Sequence, residues 1–121
     1  MDLKMVGGEF AICQVKDFSE VDFTKDYVFT AKTKEEYSII CPKEIAPKNC
    51  IQVEYGWECF RIAEDAAFEK YGMIAFLADV VAKQETGILV VATYDTDYIL
   101  IKSNKIKQVR EALINEGCKF I

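Results

Sequence analysis

The stretch Thr93-Tyr94-Asp95-Thr96-Asp97-Tyr98-Ile99-Leu100 sets the polar Asp95-Thr96-Asp97, two carboxylates and a hydroxyl, between two apolar runs. Neighbouring carboxylates can serve as general acid and base, but two of them on one tight turn cannot face each other across a substrate. A calcium loop is also a poor match, because it spreads its ligands over about a dozen residues with a central glycine and a distal Glu. The bland alternative is a hairpin connection, where Asp and Thr side chains bond to nearby backbone N–H groups. The chemistry that suits the pattern better is recognition. A carboxylate at a strand end, close to amides left free at a hairpin or helix start, can meet both ends of a zwitterion. Lys70-Tyr71-Gly72-Met73-Ile74 is the other candidate half of such a site. Glycine near the first turn of an apolar helix lowers helix propensity by about 1 kcal/mol relative to alanine. It therefore calls for a reason: close approach of backbone or ligand, or helix–sheet packing.

The chain contains no histidine. Ser-His and Cys-His pairs, histidine acid–base catalysis and histidine metal sites are thereby excluded, leaving carboxylates, Lys, Cys and Tyr. The five cysteines, Cys13, Cys41, Cys50, Cys59 and Cys118, form no C-x-x-C pair and are odd in number. They read as small buried hydrophobes rather than as a zinc knuckle or disulfide framework. With no nucleophile–base pair, phosphate-binding glycine loop or metal constellation, the expectation is a non-enzyme without cofactor or metal. Twenty acidic against fifteen basic residues give a net charge of −5, so nucleic acid is not an expected partner. No apolar run approaches the roughly 20 residues of a spanning helix, and no secretory pattern opens the chain, so a cytoplasmic location is expected.

The elements that must position these residues are clearest in the second half. Trp57–Ala63 reads as a strand, with Trp57 either core or pocket wall. Met73, Ile74, Leu77, Val80 and Val81 form a helical stripe within 68–84. Ile88–Tyr94 and Tyr98–Lys102 make a hairpin around the Asp95-Thr96-Asp97 interruption. Ser103 is placed to cap a helix carrying Ile106, Val109 and Leu113, with Gly117 at its left-handed end and Cys118–Ile121 as a last strand. The order is βαββαβ, the ferredoxin-like plan. In the first half Glu9–Val15, Tyr27–Thr33, Tyr37–Cys41 and Ile51–Tyr55 read as strands, while 17–26 and 42–49 are too short for multi-turn helices. An overlay at an offset of 61 (98 − 37) matches Ala31 to Ala92, Glu36 to Asp97, Tyr37 to Tyr98, Ile40 to Ile101 and Ile45 to Ile106. The expected architecture is α+β, with two βαββαβ units, residues 1–55 with reduced helices and 56–121 complete, and antiparallel sheets with helices on one face.

Gly7–Val15, Glu35–Pro42, the Gly56-Trp57 pair, Gly72 at a helix start and Ala92–Ile101 (ATYDTDYILI) together resemble the small tandem ACT-domain proteins, relatives of the CASTOR-type arginine sensors. The resemblance covers nearly the whole chain from Gly7. It implies a regulatory module, usually dimeric, that binds an amino acid or similar small ligand where two units meet. Carried over by residue, it points to Gly72, Met73 and Ile74 and to Thr93, Tyr94, Asp95, Thr96 and Asp97, with Asp97 meeting a ligand ammonium or guanidinium. Where relatives carry a small polar motif before the helix glycine, this chain has Phe68-Glu69-Lys70-Tyr71. The expected partners are an amino-acid-like ligand, a second copy and an unidentified regulated protein. The competing reading is a protein-interaction or dimerisation module with no small ligand.

Overall fold

The computed structural model describes residues 1–63 and 71–121. Its elements are β1 (Asp2–Val15), β2 (Phe29–Lys32), β3 (Tyr37–Pro42), a 3-10 turn (Lys43–Ile45), β4 (Cys50–Ile62), α1 (Met73–Lys83), β5 (Leu89–Ala92), β6 (Asp97–Lys102), α2 (Ile106–Asn115) and β7 (Lys119–Phe120). They form two compact units: a first of Gly8–Trp57, and a second of Met1–Gly7 together with Glu58–Ile121. The architecture is α+β and ferredoxin-like, with chiefly antiparallel strand pairs and two helices.

Met1–Gly7, grouped by sequence with the first unit, supplies a strand to the second. Asp2 and Leu3 pair in parallel with Lys119 and Phe120, and the Ala63 N–H donates to the Asp2 carbonyl at 2.9 Å. Met1, Leu3 and Met5 alternate with Asp2 and Lys4, the strand period of two. Leu3 is fully buried, and Met1 and Met5 pack against the same core. The pattern is written in the sequence but is interrupted by Gly7-Gly8. Gly8 stands at φ 89, a conformation that glycine adopts without steric cost, and β1 continues through it. Likewise β4, expected as two strands separated at Gly56, runs unbroken with Gly56 at φ 82. The Gly56 N–H donates to Glu9 Oε2 at 3.1 Å.

In the second unit Leu77, Val80 and Val81 of α1 and Ile106, Val109 and Leu113 of α2 share one core with Phe60, Ile62, Ile99 and Ile101. Phe60 and Ile62, like Ile99 and Ile101, are two apart and so point to one face of their strands. Both helices therefore cover the same face, as the apolar stripes require. Each such side chain taken from water contributes about 1.5–3 kcal/mol. Of the helical stretch expected over 68–84, Phe68–Lys70 lie outside the described residues, and α1 begins only at Met73. Trp57 is buried, the core alternative of its two readings.

The helix ends differ from expectation at one point. Ser103 does not cap α2: it sits in a turn closed by the Lys105 N–H on the Lys102 carbonyl at 2.9 Å, and the N-cap is Lys105, without a side-chain cap bond. Lys105 compensates by donating from Nζ to the Gln84 carbonyl at 3.3 Å, at the negative end of α1. At the far end of α2 the Gly117 N–H reaches Ile114 O and the Cys118 N–H reaches Leu113 O, both at 3.0 Å, with Gly117 at φ 100. This is the Schellman pattern that the glycine announced. α1 ends with the same kind of turn but places Glu85 at φ 60.

The first unit buries Ala11, Cys13 and Val15 of β1 with Ile39 and Cys41 of β3. Its cover is loop rather than helix: Phe18, Val21, Val28, Ile45 and Ala46 pack on that core. Side chains satisfy the loop backbone. Asp17 Oδ1 accepts from the Ser19 N–H at 3.0 Å and hydroxyl at 2.6 Å, and Asp22 Oδ1 accepts from the Thr24 N–H at 3.0 Å. These bonds hold both carboxyl groups below their ordinary range.

The cysteines are buried except for half-buried Cys50. Burial pushes the Cys59 thiol up to about 12 and, with a smaller push from Cys50, Cys41 up to about 11, from 9.0. Cys13 is raised too, by burial first and then by Cys50 and Cys41. Below pH 9.0 these thiols stay protonated in folded and unfolded chains alike, and their stabilisation is complete. Above it the unfolded chain ionises first, so stability falls as pH climbs toward 11–12. Thiol trapping at pH 8.5 should modify Cys13, Cys41 and Cys59 orders of magnitude more slowly in the native protein than in urea; equal rates would contradict the burial. A second expectation concerns Glu85. Glu85→Gly relieves a left-handed conformation that costs an L-residue roughly 1–2 kcal/mol, so thermal unfolding should move up by a few degrees.

Candidate functional site

The sequence-predicted hairpin exists and its register is definite: Val91 pairs with Tyr98 and Ala92 with Asp97. The connection is tied by its two threonines. The Thr93 N–H and Oγ1 both donate to the Thr96 carbonyl, at 2.9 and 2.6 Å, and the Thr96 N–H returns to Thr93 Oγ1 at 3.3 Å. Thr96 is buried, and its Oγ1 donates to the Ile62 carbonyl at 2.6 Å. Ile62 is the last residue of β4, so this bond pins the hairpin tip to the end of the strand that precedes α1.

The side chains around that anchor divide by role. Tyr94 is 86% exposed, Asp95 is exposed, and Asp97, the first residue of β6, is half-buried. The hairpin therefore presents one carboxylate outward and one partly sheltered, rather than two facing a common substrate.

Gly72 is the N-cap of α1, at φ 78 and ψ 6, and its carbonyl accepts the Phe76 N–H at 2.9 Å. Among the described residues nothing lies within 4 Å of a Cβ built on Gly72. Its left-handed φ is what calls for glycine. The first turn of α1 has no side-chain cap and no acidic residue. Met73 is buried and Ile74 packs against the core, so both can offer a ligand only their backbone amides. Tyr71, just before the glycine, is 98% exposed. Thr96 holds the hairpin at the end of β4, while the start of α1 follows that end in sequence after residues 64–70. A cavity of about 320 Å³ lies on the first unit beside Gln14, Ser38 and Val53, and one of about 300 Å³ beside Ile106 and Arg110. Neither includes a sequence-predicted site residue.

Sequence reasoning missed two features. The Ile62 carbonyl left no signal, since a backbone acceptor has no residue type. The second is the true register of the internal likeness. β2 and β3 pair Ala31 with Ser38 and Lys32 with Tyr37, which sets Thr33 against Thr93 at an offset of 60 (93 − 33), not 61. The Thr33 N–H donates to Glu36 O at 2.9 Å, and the Glu36 N–H returns to Thr33 Oγ1 at 3.2 Å, the same closure as Thr93 with Thr96. The overlay at 61 aligned like side chains, yet a one-residue slip in a strand exchanges its faces.

Residues 52–115 match the family model of the ACT domain, more than half of the chain. The chain belongs to the ACT domain family. Among curated proteins no sequence matches it. Among solved structures it is similar to protein Atu0741 from Agrobacterium tumefaciens, with a TM-score of 0.87 and 27% identity, covering 99% of this chain and 91% of that one. It is also similar to a Vibrio cholerae protein of unknown function, VC0802, with a TM-score of 0.76, 18% identity and coverage of 98% and 88%. The regulatory subunit of aspartate kinase from Thermus thermophilus shares the fold at a TM-score of 0.67 and 8% identity, covering 95% and 97%.

Thr96 offers a direct check of the anchor. Thr96→Val keeps the shape but leaves the Ile62 carbonyl only the longer bond from Arg61 Nη1, at 3.3 Å, and should cost about 1 kcal/mol in urea unfolding, whereas Thr96→Ser should retain most of the stability. Equal stability of both variants would show that the bond does not hold the hairpin.

Proposed function

We propose that this chain is a regulatory or sensor module with no catalytic activity of its own, built from two ACT-like units and acting as a cytoplasmic homodimer. The second unit binds an amino acid or a similar zwitterion. The first unit is the reduced copy, and its hairpin, closed by Thr33 as the other is by Thr93, supports that duplication. In the second unit the uncapped amides at Gly72–Ile74 receive the ligand carboxylate, where the helix dipole favours negative charge. Asp97 receives the ammonium or guanidinium as a charge-assisted acceptor, with Thr93, Tyr94, Asp95 and Thr96 shaping the rim.

The observation that carries this reading is the bond from Thr96 to Ile62, which fixes the acidic hairpin to the end of β4; the uncapped first turn of α1 supports it as the second half of the site. The fold shared with an aspartate kinase regulatory subunit supports a regulatory role. Dialysed protein screened with the twenty amino acids should show a thermal shift with at least one. A hundredfold excess over Kd stabilises by roughly 2.7 kcal/mol, several degrees for a chain of this length. Asp97→Asn should remove most of that shift while leaving the unliganded melting temperature nearly unchanged. A flat response across the whole panel would sink the ligand reading and leave an interaction module.

A further inference from the structure

We propose that the Cys50–Tyr55 segment of β4 is a contact between two copies of this chain, paired antiparallel about Val53. β4 has β1 on one side and β6 on the other, and β6 belongs to the second unit together with Glu58–Ile62. Thr96, just before the six-residue β6, bonds to Ile62 at the end of β4, so β6 extends back no further than about Trp57 and, among the described residues, Cys50–Tyr55 has no strand on that side. Ile51, Val53 and Tyr55 are 55%, 39% and 51% exposed, and Gln52 and Glu54 are exposed as well. Natural edges are blunted by proline, lysine, a bulge or a covering element. Cys50–Tyr55 itself contains neither proline nor lysine, although Lys43 Nζ stands 5.5 Å from the Tyr55 ring centroid, and its three large apolar side chains share one face.

The occupant follows from self-complementarity. Identical antiparallel strands keep each face intact when the twofold axis passes through a residue. Through Val53, Ile51 of each copy faces Tyr55 of the other, Val53 faces its equivalent, and the Gln52 amide faces the Glu54 carboxylate. Apolar pairs then fill one face and donor–acceptor pairs the other, with no like charges opposed. Moving the axis to Glu54 sets two carboxylates directly opposite, which is destabilising. Moving it to Gln52 sets Tyr55 against Asn49, which lies outside the strand. One register serves both copies equally, as an isologous contact requires. The contact rests on the chain being a homo-oligomer and uses no residue of the ligand site.

Light scattering on the full chain should give twice the 13.8 kDa chain mass. Val53→Lys, which brings two cations together on the axis, should halve that mass with an unchanged far-UV circular dichroism spectrum. Val53→Cys should become a disulfide-linked dimer with oxidised glutathione, while the wild type and Gln52→Cys should not. A monomeric wild type, a dimeric Val53→Lys protein or equal cross-linking of Gln52→Cys would each overturn the contact. An amino-acid shift that persists in Val53→Lys would separate that failure from failure of the ligand reading.

Discussion

The bond from the buried Thr96 hydroxyl to the Ile62 carbonyl is the constraint on which the candidate site depends. A hairpin connection at a unit's end is ordinarily free to sway, because its backbone groups can turn to water. Here the tip is fastened to the strand that leads toward α1, and the threonine is enclosed. Burying a hydroxyl without a partner would be costly, so the bond and the burial require each other. Asp95 and Asp97 flank this residue in sequence and inherit its position. Their placement thus follows from the Thr96 anchor together with the Thr93–Thr96 bonds that close the tip.

The corresponding hairpin of the first unit shows what happens without that contact. Thr33 closes the turn as Thr93 does, but Glu36 occupies the place of Thr96 and is exposed. The backbone closure is retained and the anchor is missing. Cover differs as well. The second unit lays two amphipathic helices on its sheet, whereas the first closes its core with Phe18, Val21, Val28 and Ile45 from loops held by Asp17 and Asp22. Along Cys50–Tyr55 of β4 in this unit, Ile51, Val53 and Tyr55 are exposed.

Glycine has a specific part in this arrangement. No described residue comes within 4 Å of a Cβ built on Gly72. The glycine is there because the chain enters α1 through a left-handed residue, which leaves the first turn without a side-chain cap. Gly8 and Gly56 carry long strands through positive φ. In the sequence Gly56 reads as the boundary of a strand, yet both glycines are points where a strand changes conformation and continues.

The sequence by itself determined the βαββαβ order of the second unit, the stripes of α1 and α2, the left-handed end at Gly117 and the hairpin around Asp95. Each is a local matter of period, propensity or turn chemistry, which neighbouring residues suffice to specify. Only the tertiary structure decided that Met1–Gly7 joins the second unit, that Ser103 leaves α2 uncapped, and that the two hairpins correspond at 60 residues rather than 61. It also decided that Thr96, not an aspartate, is the buried polar residue of the tip. These depend on which strand lies alongside which and on where a backbone carbonyl such as that of Ile62 ends up. Such long-range choices are made by packing and hydrogen-bond satisfaction across the fold, and no short window of residue types contains them.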